Sequence, residues 1–452
     1  MASNTIFKNY DIRGEYGKEL NPLIAYKIAK AYVIFSKAKR VVVGADTRLS
    51  SPDLKAAVIS GLVESGVEVV DIGLVATDVV YFATWHGKYD GGIMITASHM
   101  PKQFNGMKFL RLNDEGMLEP IGRGLGMDEM EKIVNEMKDS GVEAGGSIDH
   151  YDIWGDYVKF VRDFVDISKI GPLKVVMDAG NGMGGLVAEK LFKGMDLEII
   201  PMYFEPDGAY PNHEPNPFVE ENRKEIVAKV KKVGADLGIA WDADCDRVYF
   251  IDEKGEYIHG DLITALLSIY FLKKKEGSGI VYDLRSSWAV HDWIKKMNGV
   301  PHTERVGHAY IKSAMRKTDS IFGGEVSGHY YFADNAYMDN GFIPEMILME
   351  MISKEKKPLS EIIKSLGEYY IYGEVNFTVE NIDKVLQRLE EKYKNGKINK
   401  IDGLAVEFED WHFNVRPSAN DPVLRLNLEA KSDFLMGQKF DEISEFIYSF
   451  KN

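Results

Sequence analysis

Residues Gly91 to Lys108 read GGIMITASHMPKQFNGMK. The apolar run Ile93-Met94-Ile95 predicts a short buried strand, which breaks into Thr96-Ala97-Ser98-His99 and stops at Pro101. Small residues after a buried strand let a ligand approach the backbone closely. Asn105-Gly106 predicts a second turn, one that carries Lys108 back toward the serine. A serine with a histidine and a lysine nearby suggests a nucleophile with basic neighbours. Composition alone leaves a plainer reading open, a turn with incidental polar residues. The rest of the chain decides between the two.

Outward from that stretch the pattern of a strand ending in a polar loop recurs. Val41 to Arg48 reads VVVGADTR, Val175 to Gly182 reads VVMDAGNG, and Gly279 to Ser286 reads GIVYDLRS. Each is an apolar run ending in aspartate and a small or polar loop. Pro22 to Ala38 has helical apolar spacing, and helix-like stretches follow the three runs at Leu54 to Glu64, Gly185 to Phe192 and Ala289 to Lys296. Apolar runs without polar alternation suit strands covered on both faces. The pattern predicts three related α/β units. From about Glu368 the composition changes. A strand (Tyr370 to Val379) and an amphipathic helix (Ile382 to Tyr393) precede Trp411 to Val415 and Leu424 to Leu428, which alternate with period two. That alternation predicts an antiparallel sheet with one solvated face.

The chain has 452 residues, with 45% hydrophobic and 28% charged, which suits a globular protein of two to four domains. A net charge of −15 argues against nucleic acid or an anionic membrane as partner. An anionic small substrate remains compatible if the cations are concentrated locally. The single cysteine, Cys245, excludes an intramolecular disulfide and fits a reducing compartment. The first residues, MASNTIFKNY, show no basic segment followed by an apolar one. No apolar run is long enough to span a bilayer. The expected location is cytoplasmic.

A second motif, Asp242-Ala243-Asp244-Cys245-Asp246-Arg247, lies between two apolar runs, Leu237 to Ala240 and Val248 to Ile251. Alternate residues of an extended chain point the same way, so three carboxylates converge. Three such charges repel strongly unless a cation sits among them, and hard oxygen donors favour Mg²⁺ over zinc. An EF-hand is rejected, since Arg247 stands where that loop needs glycine and a strand follows. Haloacid-dehalogenase-type phosphotransferases want Thr or Val where this chain has Asp246. A solvated acidic turn is the bland alternative, and the flanking apolar runs count against it. Gly180, Gly182 and Gly185 fit a dinucleotide fingerprint, but no acidic residue ends a second strand, so a tight strand-to-helix turn is the better reading. Other segments are polar loops with a plain surface-loop alternative. Phe7 to Gly14 presents Tyr10 and Arg13. Pro211 to Pro217 is proline-spaced. Arg305 to His308 and Gly323 to His329 set Glu, Ser and His around glycines, which suits sugar hydroxyls. Arg416 to Pro422 offers an arginine, Ser418 and Asn420, which suit phosphate.

Together these motifs resemble those of the α-D-phosphohexomutases, the phosphoglucomutase and phosphomannomutase family. TASHMP with NGMK is similar to the family's TASHNP followed by NGxK, with Met100 for asparagine. The resemblance implies that Ser98 is the phosphorylated residue, with His99 and Lys108 assisting proton transfer. It places Tyr10 and Arg13 at the active site. DADCDR is similar to the family's metal loop, which implies Asp242, Asp244 and Asp246 as Mg²⁺ ligands alongside Ser98, with Arg247 beside them. GGEVSGH is similar to the sugar loop, GEMSGH, so Glu325, Ser327 and His329 are implied in substrate binding, with Arg285 and His308. RPSANDP is similar to the phosphate loop, where Arg416 and Ser418 match. Asn420, and Ala419 in place of a donor, stand at its next positions.

The resemblance implies a four-domain α/β protein around a central cleft. Three related α/β domains would precede a C-terminal α+β domain with an antiparallel sheet. The boundaries are placed at 1–150 (phosphoserine), 151–252 (metal), 253–366 (sugar) and 367–452 (phosphate). The implied activity interconverts hexose 1- and 6-phosphates of glucose or mannose through a 1,6-bisphosphate, which also serves as activator. Lysine as general base would need a depressed pKa, which Arg13 and Arg247 are expected to supply. The sugar loop lacks the glutamine more frequent in phosphoglucosamine mutases. That tilts the substrate away from glucosamine phosphate, which stays as an alternative. A metal-dependent sugar-phosphate phosphatase and a non-catalytic sugar-phosphate sensor also stay open. A monomer or homodimer is expected.

Overall fold

The run that opens the serine stretch is a strand, Gly91–Ile95, buried along its whole length. It belongs to a sheet ordered Ile12–Glu15, Phe104–Leu112, Gly91–Ile95, Arg40–Ala45, Glu68–Leu74, Ser147–His150, with Leu118–Pro120 added to Phe104–Leu112. The computed structural model describes residues 6–137, 145–418 and 423–450. Arg40–Ala45 pairs parallel with both neighbours, as its unrelieved apolar pattern requires. Phe104–Leu112 runs antiparallel to Gly91–Ile95 and sets Lys108 opposite Met94.

That register corrects one expectation. Asn105-Gly106 is not a turn but lies in the strand Phe104–Leu112, and the chain reverses earlier, across residues 98–103. The Asn105 side chain is buried and donates from Nδ2 to the Ser50 and Ser51 hydroxyls at 2.8 and 3.0 Å. Gly106 is required by the close pairing with Ile12–Glu15, because a Cβ there would lie 1.9 Å from the Ile12 carbonyl oxygen.

The helix Pro22–Ser36 starts where the Asn21 side chain accepts the Ile24 N–H at 3.0 Å and Pro22 opens the first turn. With Ser51–Glu64 it covers one face of the sheet, and Ile28, Tyr32, Val43, Leu54, Val58 and Ile95 form the core between them. A second sheet follows, ordered Tyr257–Ile258, Val248–Asp252, Leu237–Trp241, Leu173–Asp178, Leu197–Met202. Leu237–Trp241 is parallel to Leu173–Asp178 and antiparallel to Val248–Asp252, so the acidic motif sits in the tight return between two buried strands. The glycine-rich segment is a strand-to-helix turn, as expected. A Cβ at Gly182 would lie 2.6 Å from the Ala243 carbonyl oxygen, and the Met183 N–H donates to that same oxygen at 2.8 Å. The glycine therefore serves as a seat for the acidic loop and not for a nucleotide. These elements, with the hairpin Tyr330–Phe332 and Met338–Asp339 and the helix Ile343–Glu355, form one compact unit, Met1–Ile258 with Ser327–Ser360.

The second unit is His259–Val326 with Glu361–Asn452. In it, Gly279–Asp283 lies parallel between Val300–Glu304 and Phe322–Gly324, with helices Gly260–Lys274, Trp288–Lys296 and His308–Thr318. The C-terminal part is a wholly antiparallel five-stranded sheet ordered Tyr370–Phe377, Leu424–Ala430, Trp411–Pro417, Leu404–Glu407, Lys397–Asn399. Helices Ile382–Lys392 and Asp433–Tyr448 pack on it around Phe413, Leu426, Leu389 and Ile443. Three mixed α/β parts thus precede an antiparallel one, the order expected from the sequence. No helix among the described residues is long and apolar enough to cross a membrane.

Candidate active site

Ser98 sits at the end of Gly91–Ile95 in the left-handed backbone region, with φ of 51°, and is buried. A non-glycine residue persists there only when its surroundings fix it. Two contacts do so. The Ser98 N–H donates to Thr96 Oγ1 at 2.8 Å. Arg48, fully buried, gathers the loop's carbonyls on one guanidinium: Nη1 donates to Pro101 at 3.0 Å and Phe104 at 2.9 Å, and Nη2 donates to Met100 at 2.7 Å and to Ser98. Asp46 faces Arg48 Nε at 3.3 Å and accepts the Ser51 hydroxyl at 2.6 Å. The loop is therefore held through the backbone of residue 100, so methionine in place of asparagine leaves this clamp intact.

The acidic return brings Asp242, Asp244 and Asp246 together, all buried, with one oxygen of each within 4.8 Å of the others. Asp242 Oδ2 accepts the Ser98 hydroxyl at 2.7 Å. Asp244 is fixed from the start of the helix Thr77–His86, where Thr77 Oγ1 donates to its carboxylate at 2.6 Å and the Thr77 N–H donates to its carbonyl at 2.9 Å. Asp244 Oδ1 is buried without a hydrogen-bond partner among the described residues, and Asp246 Oδ1 has only longer contacts, to His329 Nε2 at 3.6 Å and Arg247 Nε at 3.8 Å. Three buried carboxylates gathered this closely, with oxygens not fully engaged by the protein, fit a hard divalent cation. Burial, reinforced by Asp246 and Asp244 against the pull of Arg247, pushes the Asp242 carboxyl up to about 7. Cys245 takes φ of 60° inside the loop, and burial pushes its thiol up, so it serves as a spacer and not as a reactive thiol.

Arg247 joins the two loops. Its Nη2 donates to Ser98 Oγ at 2.9 Å and to Asp242 Oδ2 at 2.7 Å, and also meets His99 Nδ1. His99 Nδ1 lies 3.3 Å from Ser98 Oγ. Burial, with Arg247 and Arg13 nearby, holds His99 well below its ordinary pKa, so it is a neutral imidazole at pH 7. Lys108 departs from expectation. Its Nζ pairs with Asp244 at 2.6 Å and with Asp246. Burial pulls its pKa down, but Asp244, Asp246 and Asp242 outweigh that and raise it. The expected depression by Arg13 and Arg247 does not occur, because the carboxylates are closer. Arg13 Nε and Nη2 both reach Asp11 Oδ2 at 2.8 Å, and Tyr10 is half-buried just before the strand Ile12–Glu15.

Part of the predicted sugar loop lies in this same unit. Ser327 Oγ is 3.0 Å from His329 Nδ1, and His329 Nε2 is 3.6 Å from Asp246 Oδ1. The Tyr249 hydroxyl donates to the Ser327 carbonyl at 3.0 Å. The remaining predicted residues are in the second unit. Buried Glu325 accepts the Gly307 N–H at 2.8 Å, next to His308 at the start of its helix. Arg285 donates to both Asp283 oxygens at 2.9 and 3.0 Å, and to Glu374 at 3.0 Å. Arg416 also reaches Glu374, at 3.3 Å. The Ser418 N–H donates to the Val423 carbonyl at 2.8 Å. Asn420 and Ala419 lie outside the described residues. Arg48, Thr77 and Glu374 are supports to which the sequence motifs assign no role. Arg48 stands at a strand end beside a polar loop, which is a usable signal; Thr77 and Glu374 carry no local one.

Four family descriptions match in chain order. They are the phosphoglucomutase/phosphomannomutase α/β/α domains I (residues 4–137), II (155–255) and III (259–370) and the C-terminal domain (374–446). The chain belongs to the phosphoglucomutase/phosphomannomutase family. It is 40% identical to a phosphomannomutase of Vibrio cholerae, with 99% of each chain covered. A crystal structure of a phosphoglucomutase/phosphomannomutase family protein from Burkholderia thailandensis matches with a TM-score of 0.88 and 33% identity, covering 100% of this chain and 98% of that one. The fold extends to Aspergillus fumigatus N-acetylphosphoglucosamine mutase in complex with GlcNAc-6P and magnesium, with a TM-score of 0.60 and 12% identity over 100% and 97% of the two chains. Membership makes the protein an enzyme of the phosphohexose mutase class.

Proposed function

We propose that this family member interconverts the 1- and 6-phosphates of glucose, mannose or both, through phospho-Ser98 and a hexose 1,6-bisphosphate. The observation that carries the reading is the seating of Ser98 Oγ between Asp242 and Arg247, at 2.7 and 2.9 Å. A hydroxyl without a chemical task does not need a left-handed backbone, a buried arginine and a carboxylate triad around it.

Phosphoryl transfer depends on positioning and charge neutralisation more than on covalent activation. Asp242, Asp244 and Asp246 would hold Mg²⁺, which neutralises phosphate charge when bound. Arg247 stabilises the charge left on Ser98 Oγ as the phosphoryl group passes to a sugar hydroxyl oxygen. The proton of that hydroxyl goes to His99, which is neutral and beside Ser98; Lys108 keeps its proton and supplies positive charge. The bisphosphate then turns over, and its other phosphate returns to Ser98. Glu325, Ser327 and His329 hold sugar hydroxyls, together with Arg285 and His308. Tyr10 and Arg13 are assigned to substrate at the serine, while Arg416 and Ser418 hold the phosphate that is not reacting. The test is isomerisation of glucose, mannose and glucosamine 1-phosphates with Mg²⁺ and a trace of hexose 1,6-bisphosphate. Conversion of the glucose or mannose ester, lost on chelation, is the expected result. Phosphate release without isomerisation would overturn it, and conversion of glucosamine 1-phosphate alone would move the substrate.

A further inference from the structure

Glu374 lies in the strand Tyr370–Phe377, one residue beyond a bulge between Ile371 and Gly373. Its carboxylate is the meeting point of three arginines. Oε2 accepts Arg285 Nη1 at 3.0 Å and Arg416 Nη2 at 3.3 Å, and Oε1 lies 3.1 Å from Arg425 Nη1. Asn427, the cross-strand partner of Glu374, adds a contact from Nδ2 at 3.4 Å.

The sheet register makes this arrangement costly without Glu374. Arg416 and Arg425 are direct cross-strand partners, and like charges set opposite each other destabilise a sheet. Arg416 is 4% exposed, yet its Nε has no hydrogen-bond partner among the described residues. Burial and the neighbouring Arg285 pull the Arg416 pKa down, against Glu374 and Asp402. Asp402 is engaged elsewhere, accepting the Val306 N–H at 3.1 Å. A buried guanidinium with a spare donor and insufficient negative charge is suited to binding an anion with several oxygens. Asp283, by contrast, already occupies Nε and Nη2 of Arg285, which leaves Nη1 to turn toward the cluster.

We infer that Glu374 is a positioning residue for substrate phosphate: its carboxylate keeps Arg285, Arg416 and Arg425 converged as one site for a phosphate ester dianion. This adds Arg425 to the phosphate-binding set. It rests on the reading of the substrate as a hexose phosphate, but not on the mutase reaction itself. Glu374 is not among the partners of Ser98, Asp242 or Lys108. Its loss therefore removes binding felt equally by ground and transition states, which raises KM and spares kcat.

The test is Glu374→Gln, which keeps the side-chain shape and removes the charge. Calorimetric titration of the full chain with glucose 6-phosphate should show binding weakened about tenfold or more, with KM raised similarly and kcat changed less than about threefold. Glu374→Asp, which restores the charge, should recover most of the affinity. Binding by Glu374→Gln within about twofold of the parent, or tighter, overturns the inference, as does a Glu374→Asp no better than Gln. Should Glu374→Gln fail to fold, Arg425→Gln at its partly exposed position (25% for the side chain) gives the same KM rise with little change in thermal midpoint; an unchanged KM overturns the inference. The titration reads the arginine site even if the parent shows no isomerisation, so the two readings fail separately.

Discussion

The Ser98 hydroxyl donates to Asp242 Oδ2 at 2.7 Å across a sequence separation of 144 residues. The contact joins the end of a parallel strand in the first sheet to the return between two strands of the second. Both loops are held by parts of the chain that take no direct role in phosphoryl transfer: Arg48 under the serine loop, and Thr77 and Gly182 under the acidic one. Each loop is thus placed by tertiary structure, and the chemistry depends on how rigidly the two are kept together.

Ser98→Ala removes the phosphoryl acceptor and donor atom, so isomerisation should be abolished. Asp242 keeps its contacts to Arg247 Nε and Nη2, at 2.9 and 2.7 Å, so the stability change should stay near ~1 kcal/mol. Binding of glucose 6-phosphate, measured by calorimetry, should remain within a few-fold of the parent. Normal turnover by the variant would sink the assignment of the nucleophile.

Arg48→Lys keeps a buried cation but replaces a planar fork with a single ammonium. Four carbonyls of the serine loop are involved, from Ser98, Met100, Pro101 and Phe104. An ammonium has three donors and cannot reach all four in their present places. Destabilisation of about 2–4 kcal/mol is expected, with kcat lowered roughly a hundredfold by misplacement of Ser98. Thermal unfolding and steady-state kinetics check both parts. A variant with parental kcat would show that the clamp is structural only.

Strands, their order by type and both loops are legible in the sequence, because those signals are local. Unrelieved apolar runs such as VVVGA mark parallel strands, and alternation in Leu424 to Leu428 marks the antiparallel sheet, but the polar face expected to be solvated is buried at Asn414, Arg416, Asn427 and Glu429. What is not legible depends on distance. Asn105-Gly106 has turn composition, but its environment is a buried cross-strand contact with Ile12. Nearby arginines predict a lowered pKa for Lys108; the carboxylates are nearer, and Coulomb energy falls with separation. Glu374 sits in an ordinary strand sequence, and only the register of three strands reveals its neighbours.

Removing divalent cation should make stability depend on pH through Asp242. Its carboxyl, pushed up to about 7 by burial and its acidic neighbours, binds its proton more tightly folded than unfolded, where carboxyls titrate near about pH 4. The stabilisation is therefore present below about pH 4 and is lost as pH rises to about 7. Thermal midpoints in chelator should fall across that window, and millimolar Mg²⁺ should raise the midpoint most at the alkaline end, where the carboxylates are ionised and its binding is linked to folding. An Mg²⁺ effect that is equal at about pH 5 and about pH 8 would contradict cation binding at the triad.

Glu345 offers a further test away from the chemistry. It lies in the first turn of the helix Ile343–Glu355, fully buried, with the Trp241 side chain as the polar neighbour of its carboxylate. Burial, and secondarily the Asp78 charge, holds its pKa well above the ordinary carboxylate value. The folded state therefore keeps a proton that the unfolded chain releases above about pH 4.3. Stability from this group is present below that pH and declines as pH rises toward the folded pKa. Glu345→Gln has no proton to lose. It should match the parent most closely near about pH 4 and exceed it by a margin that grows toward about pH 8. Denaturant unfolding of both proteins at the two pH values measures the difference. A gap that does not widen with pH would mean that Glu345 is already ionised in the fold and carries no such linkage.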